Sequence, residues 1–307
     1  MKKVSFSARL WQNMKKHKGL YLMILPVVAF YLVFCYYPMY GAQIAFRDYT
    51  PKLGVFHSPW AGLKHFGEFF KSVYFERLIR NTFSINLKNL IFGFPAPILF
   101  ALLLNEVRSQ KYKKFVQTVS YMPHFISTVV VAGLVLQFTA TDGFLTQIMT
   151  LFGYPKQNLM MNPSLFQPIY VISDIWQGIG WGSIMYLSAL SNVDTSLYDV
   201  ANIDGANRWQ KIKNIIWPTI MPTTTVLLIM NVGNVLNSDY TKVLLMQNDT
   251  NRSELEVIGT FVYQKGIVEG KFSYSTAVNL FVSIICFILV FGANMITRKV
   301  NPENSLW

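Results

Sequence analysis

The chain has 307 residues, 52% hydrophobic and 15% aromatic, with only 14% charged, and a formal net charge of +12. Soluble domains carry about 25% charged residues, so this balance excludes an ordinary soluble domain and suits a chain embedded in a bilayer. The basic residues flank apolar runs instead of forming one stripe, which argues against nucleic-acid binding and for the Lys/Arg excess that membrane proteins keep on their cytoplasmic side.

In chain order, residues 1–18 carry Lys2, Lys3, Arg9, Lys15, Lys16 and Lys18 ahead of an apolar run. That run exceeds the roughly 7–15 residues of a signal-peptide core, so the start is expected to be an uncleaved anchor. Six segments approach the roughly 20 apolar residues needed to cross a hydrocarbon core about 30 Å thick: 19–40, 82–104, 115–139, 165–190, 216–236 and 276–296. Pro26, Pro38, Pro95, Pro97, Pro123 and Pro168 lie in or beside them, which membrane helices tolerate where neighbours satisfy the freed carbonyls. Lys88, a few residues into the second segment, is expected to snorkel to the headgroups. Cys35 and Cys286 sit in apolar runs and are expected to be small buried hydrophobes, not a disulfide. His17, His57, His65 and His124 show no metal-ligand spacing, so no metal is expected. The 41–81 connection is dense in aromatics, including Phe46, Trp60, Phe66, Phe69, Phe70 and Phe75, as an interfacial helix or a packed cap would be.

Charge sets the orientation. Segments 1–18, 105–114, 191–215 and 298–307 hold 15 Lys and Arg against five carboxylates, whereas the longer connections 41–81, 140–164 and 237–275 hold 11 against nine. Both termini and the 191–215 insert are therefore expected in the cytoplasm. The expected organisation is an all-α integral membrane protein with six transmembrane helices. It comprises a cytoplasmic segment 1–18, a first helix 19–40, an extracytoplasmic loop 41–81, a five-helix domain 82–297 and a cytoplasmic tail 298–307.

The 191–215 insert is the most informative stretch. Thr195 or Ser196 can cap a short helix with Asp199 in its first turn, where a carboxylate is favoured. Ala201 is small enough to seat the helix closely in a groove. Gly205 permits a reversal with positive φ. Asn207 to Lys211 then start a second short helix, with Trp209, Ile212 and Ile216 on one apolar stripe and Pro218 and Pro222 at the start of the fifth span. Two short helices joined by a glycine elbow make a rigid knob.

The run from Tyr198 to Pro222 resembles the coupling loop of ABC importer permeases, whose signature reads EAA, then DGA, an aromatic, and LP. Asp204-Gly205-Ala206 and the Pro218/Pro222 pair fall at the expected offsets. Asp199 stands for the usual Glu, Val200 for Ala, and Trp217 for the Leu before Pro218. The resemblance extends over nearly the whole chain, through Tyr37-Pro38-Met39-Tyr40-Gly41, Tyr121-Met122-Pro123-His124-Phe125, Trp176-Gln177-Gly178-Ile179-Gly180-Trp181 and the tail Asn301-Pro302-Glu303-Asn304-Ser305-Leu306-Trp307. Together these resemble the LplB-like branch of carbohydrate permeases, the MalF-like half of oligosaccharide importers.

The resemblance implies the type I ABC importer transmembrane fold, with the coupling loop at 194–216. Asp199, Ala201, Asp204, Gly205, Ala206, Trp209 and Pro218 would engage an ATPase. It also implies a second related permease, two copies of an ABC ATPase and an extracytoplasmic solute-binding protein as partners. The chain carries no GxxxxGK[ST] phosphate loop, so ATP and Mg are expected on the separate ATPase and the chain is expected to be no enzyme.

Evidence for a sugar pathway in the residues themselves comes from two polar sets within apolar spans. Asp174, Gln177 and Trp181 recur at i, i+3 and i+7, with Trp176 beside them, and Asn231, Asn234 and Ser238 share a face of the fifth span, with Asn237 nearby. Carboxylate, amide and indole groups suit sugar hydroxyls and a sugar ring face. The alternative is glue between helices, with Gly178 and Gly182 forming a GxxxG. Rival readings are an importer of a peptide or amino acid, an ion-coupled transporter, whose coupling carboxylate would be Asp174, and a scaffold, which would leave the loop unexplained.

Overall fold

The computed structural model describes residues 13–237 and 239–307. Lys2, Lys3 and Arg9 of the basic start, and Ser238, lie outside them. The described residues are helical, with one isolated bridge between Arg47 and Trp60 and no strand. The main elements are α1 (Lys18–Phe46), α2 (Phe75–Asn105), α3 (Gln110–Tyr121), α4 (Thr128–Thr139), α5 (Phe144–Leu151), α6 (Pro163–Ser191), α7 (Thr195–Ile203), α8 (Arg208–Gly233), α9 (Tyr240–Met246) and α10 (Phe272–Val300).

Five helical stretches are long and apolar enough to cross a membrane: α1, α2, Thr128–Leu151, α8 and α10. Helix α6 has the length, at 29 residues, but not the hydropathy. It spends its polar residues inside the bundle: Gln167, Ser173 and Ser183 are buried. The third expected span, 115–139, is not one helix. Pro123 can donate no backbone hydrogen bond, a short 3₁₀ turn forms at Met122–Phe125, and Ser127 caps a new helix by accepting from the amide of Val130. The apolar stretch accordingly shifts to Thr128–Leu151.

Prolines also explain three departures from α geometry. Single π turns at Leu32–Tyr36, Asn89–Gly93 and Ile212–Ile216 each end two residues before a proline, namely Pro38, Pro95 and Pro218. A proline ring collides with the carbonyl four residues back, and a widened turn gives it room.

Three apolar clusters hold the bundle. One joins Ile85 of α2, Val131 of α4, Phe166 and Tyr170 of α6, and Val243 and Met246 of α9. A second packs Phe69 and Leu78 against Val278 and Val282 of α10. The third joins Ile98 and Ala101 of α2, Tyr186 and Leu190 of α6, and Ile216 and Ile220 of α8. The aromatic connection is a packed cap: Phe46 stacks on Trp60 with centroids 5.8 Å apart, and Phe69 is buried against Phe281. Buried Glu256 accepts from Arg77 and from Arg252 (3.0 Å), tying the 237–275 connection to α2.

Helix α1 packs on this bundle through its C-terminal end, Tyr40–Phe46, which lies against α10. No residue from Lys18 to Met39 is buried. Cys35 is therefore exposed, not buried as its apolar setting suggested. The ammonium of Lys88 bonds the side-chain carbonyl of Gln167.

Helix α6 approaches its neighbours through glycines. A Cβ on Gly180 would collide with the backbone carbonyl of Ser120 in α3, and one on Gly182 would meet the Pro97 ring, whereas Gly178 has nothing within 4 Å. The close approach runs through Gly180 and Gly182, so the expected Gly178/Gly182 pair is only half right. Gly180→Ala is expected to destabilise the chain by about 1–3 kcal/mol through overpacking, and Gly178→Ala to leave stability unchanged. Thermal unfolding of the two purified variants in detergent checks this.

Candidate functional sites

At one end of the bundle, α7 and the start of α8 form a knob whose construction follows from its sequence. Asp194 caps α7, in place of Thr195 or Ser196, by accepting from the amide of Ser196 at 2.9 Å. That bond holds the Asp194 carboxyl below its ordinary pKa. A lowered pKa means the cap is fully effective above the ordinary carboxylate range and is lost as pH falls through the lowered value. Asp199 consequently lies beyond the first turn of α7, and its side chain is exposed.

The helix stops in a Schellman arrangement. The amide of Gly205 reaches the carbonyl of Asn202 at 3.2 Å, and that of Ala206 reaches Ala201 at 2.8 Å. This closure requires a left-handed residue, which Gly205 supplies at φ +71°. Two residues on, Asn207 and Gln210 form a reciprocal capping box, with bonds of 2.7 and 2.9 Å. Lys211 bonds Asn202 across the elbow at 2.6 Å. The Asp204-Gly205-Ala206 sequence is thus a helix stop abutting a helix start.

The second helix is not short. It runs through the π turn and past Pro218 and Pro222 into the membrane-spanning part of α8. Tyr198 and Ile212 pack on the cluster around Ile98 and Tyr186. The outer face stays uncovered: Leu197, Val200 and Ile203 recur every three residues and are 50, 56 and 87% exposed. Trp209 is 72% exposed and so leaves the stripe that Ile212 and Ile216 share.

Within the bundle, α2, α6 and α8 enclose a cavity of about 590 Å³. Asp174, Trp181, Asn231, Asn234 and Asn237 all line it. Gln177 and Trp176 do not. Gln177 donates to the carbonyl of Ile126 at 3.2 Å, holding α6 to the break before α4, and Trp176 is 46% exposed away from the cavity. Helical geometry explains Trp176: Tyr170, Asp174, Gly178, Trp181 and Met185 follow one face, and a residue two positions from Asp174 points about 200° away. Gln177, about 60° from Asp174, is at the edge of that face and is drawn off by its bond to Ile126.

Asp174 is paired. One carboxylate oxygen accepts from the ammonium of Lys242 and the other from Asn89 at 3.0 Å. Lys242 is 1% exposed, and its charge lies 5.1 Å from the centre of the Tyr170 ring. Sequence reasoning left Lys242 in a polar outer loop. The signal was there: it precedes the apolar run Val243-Leu244-Leu245-Met246, and a carboxylate within an apolar span, Asp174, calls for a cation. Asn86, Asn89 and Asp239 also line the cavity unanticipated. Asn89 opens the π turn of α2, whose wider geometry accompanies its bond to Asp174. Among the described residues no cluster of His, Cys, Asp and Glu could hold a metal.

Long apolar helices around a polar cavity, with a stiff exposed knob at one end, define a multi-pass membrane transport protein. Residues 93–302 match the family described as binding-protein-dependent transport system inner membrane component, and the chain belongs to that family. It is 42% identical to Protein LplB of Bacillus subtilis (strain 168), over 94% of this chain and 92% of that protein. It is 43% identical to the polygalacturonan/rhamnogalacturonan transport system permease protein YteP of the same organism, over 96% and 92%. Its fold resembles a chain of a bacterial ABC transporter involved in import of the acidic polysaccharide alginate, with TM-score 0.87, 38% identity and coverage of 95% of this chain and 99% of that one. The same transporter in complex with alginate pentasaccharide-bound periplasmic protein gives TM-score 0.86 and 38% identity.

Replacing Lys242 by Met keeps the volume and strands the Asp174 carboxylate. Breaking a buried pair from one side costs about 3–5 kcal/mol, while replacing both partners by neutral groups is far milder. Lys242→Met is expected to lower the thermal midpoint of the detergent-solubilised chain clearly, and the double variant Lys242→Met/Asp174→Asn to recover most of the loss.

Proposed function

We propose that the chain is one transmembrane subunit of a type I ABC importer, carrying an oligosaccharide across the cytoplasmic membrane by alternating access. The observation that carries the reading is the knob. Its stop-and-start construction makes it rigid, its apolar face is uncovered among the described residues, and α8 joins it without a break to the cavity wall. A surface with those properties suits a groove on a separate subunit that moves.

In this reading α6 crosses as a sixth span, its polar residues turned inward, and both termini lie in the cytoplasm with the knob. The Lys and Arg bias of the connecting segments supports that orientation. The assembly contains a second related permease, two ATPases that hold ATP and Mg, and an extracytoplasmic solute-binding protein. Relatives named for polygalacturonan/rhamnogalacturonan and alginate transport support the sugar. The amide-rich cavity supports it on independent grounds, because amides pair with hydroxyls without a charge to desolvate.

Each part has its role. Asp199, Ala201, Asp204 and Trp209 contact the ATPase; Gly205, Ala206 and Pro218 fix the shape that makes contact possible. When the ATPases close, the knob is displaced, α8 moves with it, and the cavity opens to the loaded binding protein. After hydrolysis it opens inward.

Two measurements test this. A mild-detergent pull-down from native membranes is expected to recover a P-loop ATPase and a second permease; recovery of the chain alone would sink the proposal. Gly205→Pro, which forces φ to about −65° where +71° is required, is expected to leave membrane insertion intact and to lower substrate uptake at least tenfold. Normal uptake by that variant would refute the coupling role of the elbow.

A further inference from the structure

We infer that the start of α3 binds the headgroups of anionic phospholipids, at the end of the bundle where the knob stands. The inference goes beyond the importer reading and needs only a membrane-spanning chain. Arg108, Lys111, Lys113 and Lys114 place four cations within seven residues. Arg108, Lys111 and Lys114 are exposed, and Lys113 is half-buried. None of the four side chains has an ion pair or hydrogen bond among the described residues. From Val107 to Thr141 the sequence holds no Asp or Glu, and the preceding Glu106 lies 4.0 Å from Arg208 of the knob. The described residues therefore supply no counter-charge for this patch.

The two sides of α3 differ. On the inner side a Cβ on Gly180 of α6 would strike the Ser120 carbonyl, and Val116 and Gln117 are half-buried. On the outer side Tyr112, Phe115, Val119 and Met122 recur at i, i+3, i+7 and i+10, each at least 50% exposed. Polarity also changes along the axis. Residues 108–114 are basic, whereas 115–139 contain no Lys, Arg, Asp or Glu. A bilayer has the same profile along its normal, charged headgroups above hydrocarbon. An acidic groove on a protein would satisfy the cations alone and leave the stripe beyond them bare. A phospholipid satisfies both: its phosphate meets Lys111 and Lys114, and its acyl chain follows Tyr112 and Phe115. The cations select an anionic headgroup over a zwitterionic one.

The depth agrees. Gly180, which meets Ser120, is eleven residues before the end of α6 at Ser191, about 16 Å at 1.5 Å of rise per residue. Lys114 and Lys111 lie about 9 and 14 Å back along α3 from Ser120, toward the knob. The cations thus stand near the level at which α6 gives way to α7, where apolar bundle meets polar knob. Long basic side chains at that level reach headgroups while their stems stay in the apolar layer.

Two measurements test the site, and neither depends on whether the chain is an importer. In the first, the purified protein, with any subunits it retains, is placed in bilayers of phosphatidylcholine containing about one-fifth phosphatidylglycerol. It is then extracted in mild detergent, and the retained lipids are counted by native mass spectrometry. Retained phosphatidylglycerol is expected to exceed its share of the bilayer at least threefold. The triple variant Arg108→Gln/Lys111→Gln/Lys114→Gln, all exposed positions where Gln keeps helix propensity, is expected to lose most of that excess. No excess, or equal excess in the variant, overturns the inference. In the second, benzoylphenylalanine replaces Tyr112 and is photolysed in the native membrane. A phosphatidylglycerol or other anionic phospholipid adduct is expected. An adduct with another polypeptide would make this face a subunit contact, and the absence of any anionic phospholipid adduct would leave the patch without its ligand; either result overturns the inference. The importer reading, which rests on the knob, stands or falls separately.

Discussion

A lysine and an aspartate share the interior of this bundle, and much of the architecture around them follows from keeping both charged and paired. Lys242 comes from α9, Asp174 from α6 and Asn89 from α2, so one carboxylate ties three elements far apart in the sequence. An isolated charge in hydrocarbon costs several kcal/mol, and the pair is tolerable because each carboxylate oxygen has a donor and Tyr170 covers the ammonium. Helix α9 must therefore fold back onto the bundle and cannot remain a loose outer loop. Its apolar flank, Val243 and Met246, then completes the cluster with Ile85 and Val131. The same rule operates at Glu256, held between Arg77 and Arg252, and at Lys88 against Gln167.

How far these features can be read in the sequence depends on whether their cause is local. The knob is local. Asp204-Gly205-Ala206 followed by Asn207 and, three residues on, Gln210 specifies a left-handed stop and a capping box within seven residues, and the elbow is legible in full. The N-cap was misplaced by one or two residues, because Asp194, Thr195 and Ser196 are all capable caps and the choice depends on where the preceding α6 ends. The second helix, expected to be short, runs on into the span with Trp209 off its buried stripe. The helix break at Pro123 was visible as a proline but lost in an apolar run that continues on both sides.

The cavity is not local. Asp174, Asn231 and Asn234 stood out as polar residues in apolar spans, and the cavity gathers them. Gln177 stood out for the same reason and faces elsewhere, since a helix offers glue positions and cavity positions within one turn of each other. Lys242 was hidden by the opposite circumstance: its only local mark is the apolar run that follows it, and nothing near it in the sequence names Asp174 as its partner. Helix α1 shows a third case. Its composition is that of a helix covered by apolar neighbours, and only the structure shows that this chain itself leaves Lys18 to Met39 uncovered.

The geometry of α8 joins the two sites. The helix starts at the Asn207 cap and ends at Gly233, 26 residues or about 39 Å at 1.5 Å of rise per residue. Its first turn belongs to the knob, and Asn231, with Asn234 just beyond the last turn, belongs to the cavity wall. A continuous helix is stiff along its axis, so a displacement imposed at Trp209 is not absorbed in a loop before it reaches Asn231. A soft point is the π turn at Ile212–Ile216, where the hydrogen-bond register has already slipped by a residue beneath Pro218; Pro222, inside the helix, removes a further backbone bond. The π turn is anchored by Ile216, buried against Ile98 and Tyr186. Tilt of α8 about that anchor moves its two ends in opposite directions, a lever with the knob on one arm and the asparagines on the other. The anchoring side chains come from α2 and α6, the other two walls of the cavity, so the fulcrum and the chamber belong to the same packing unit.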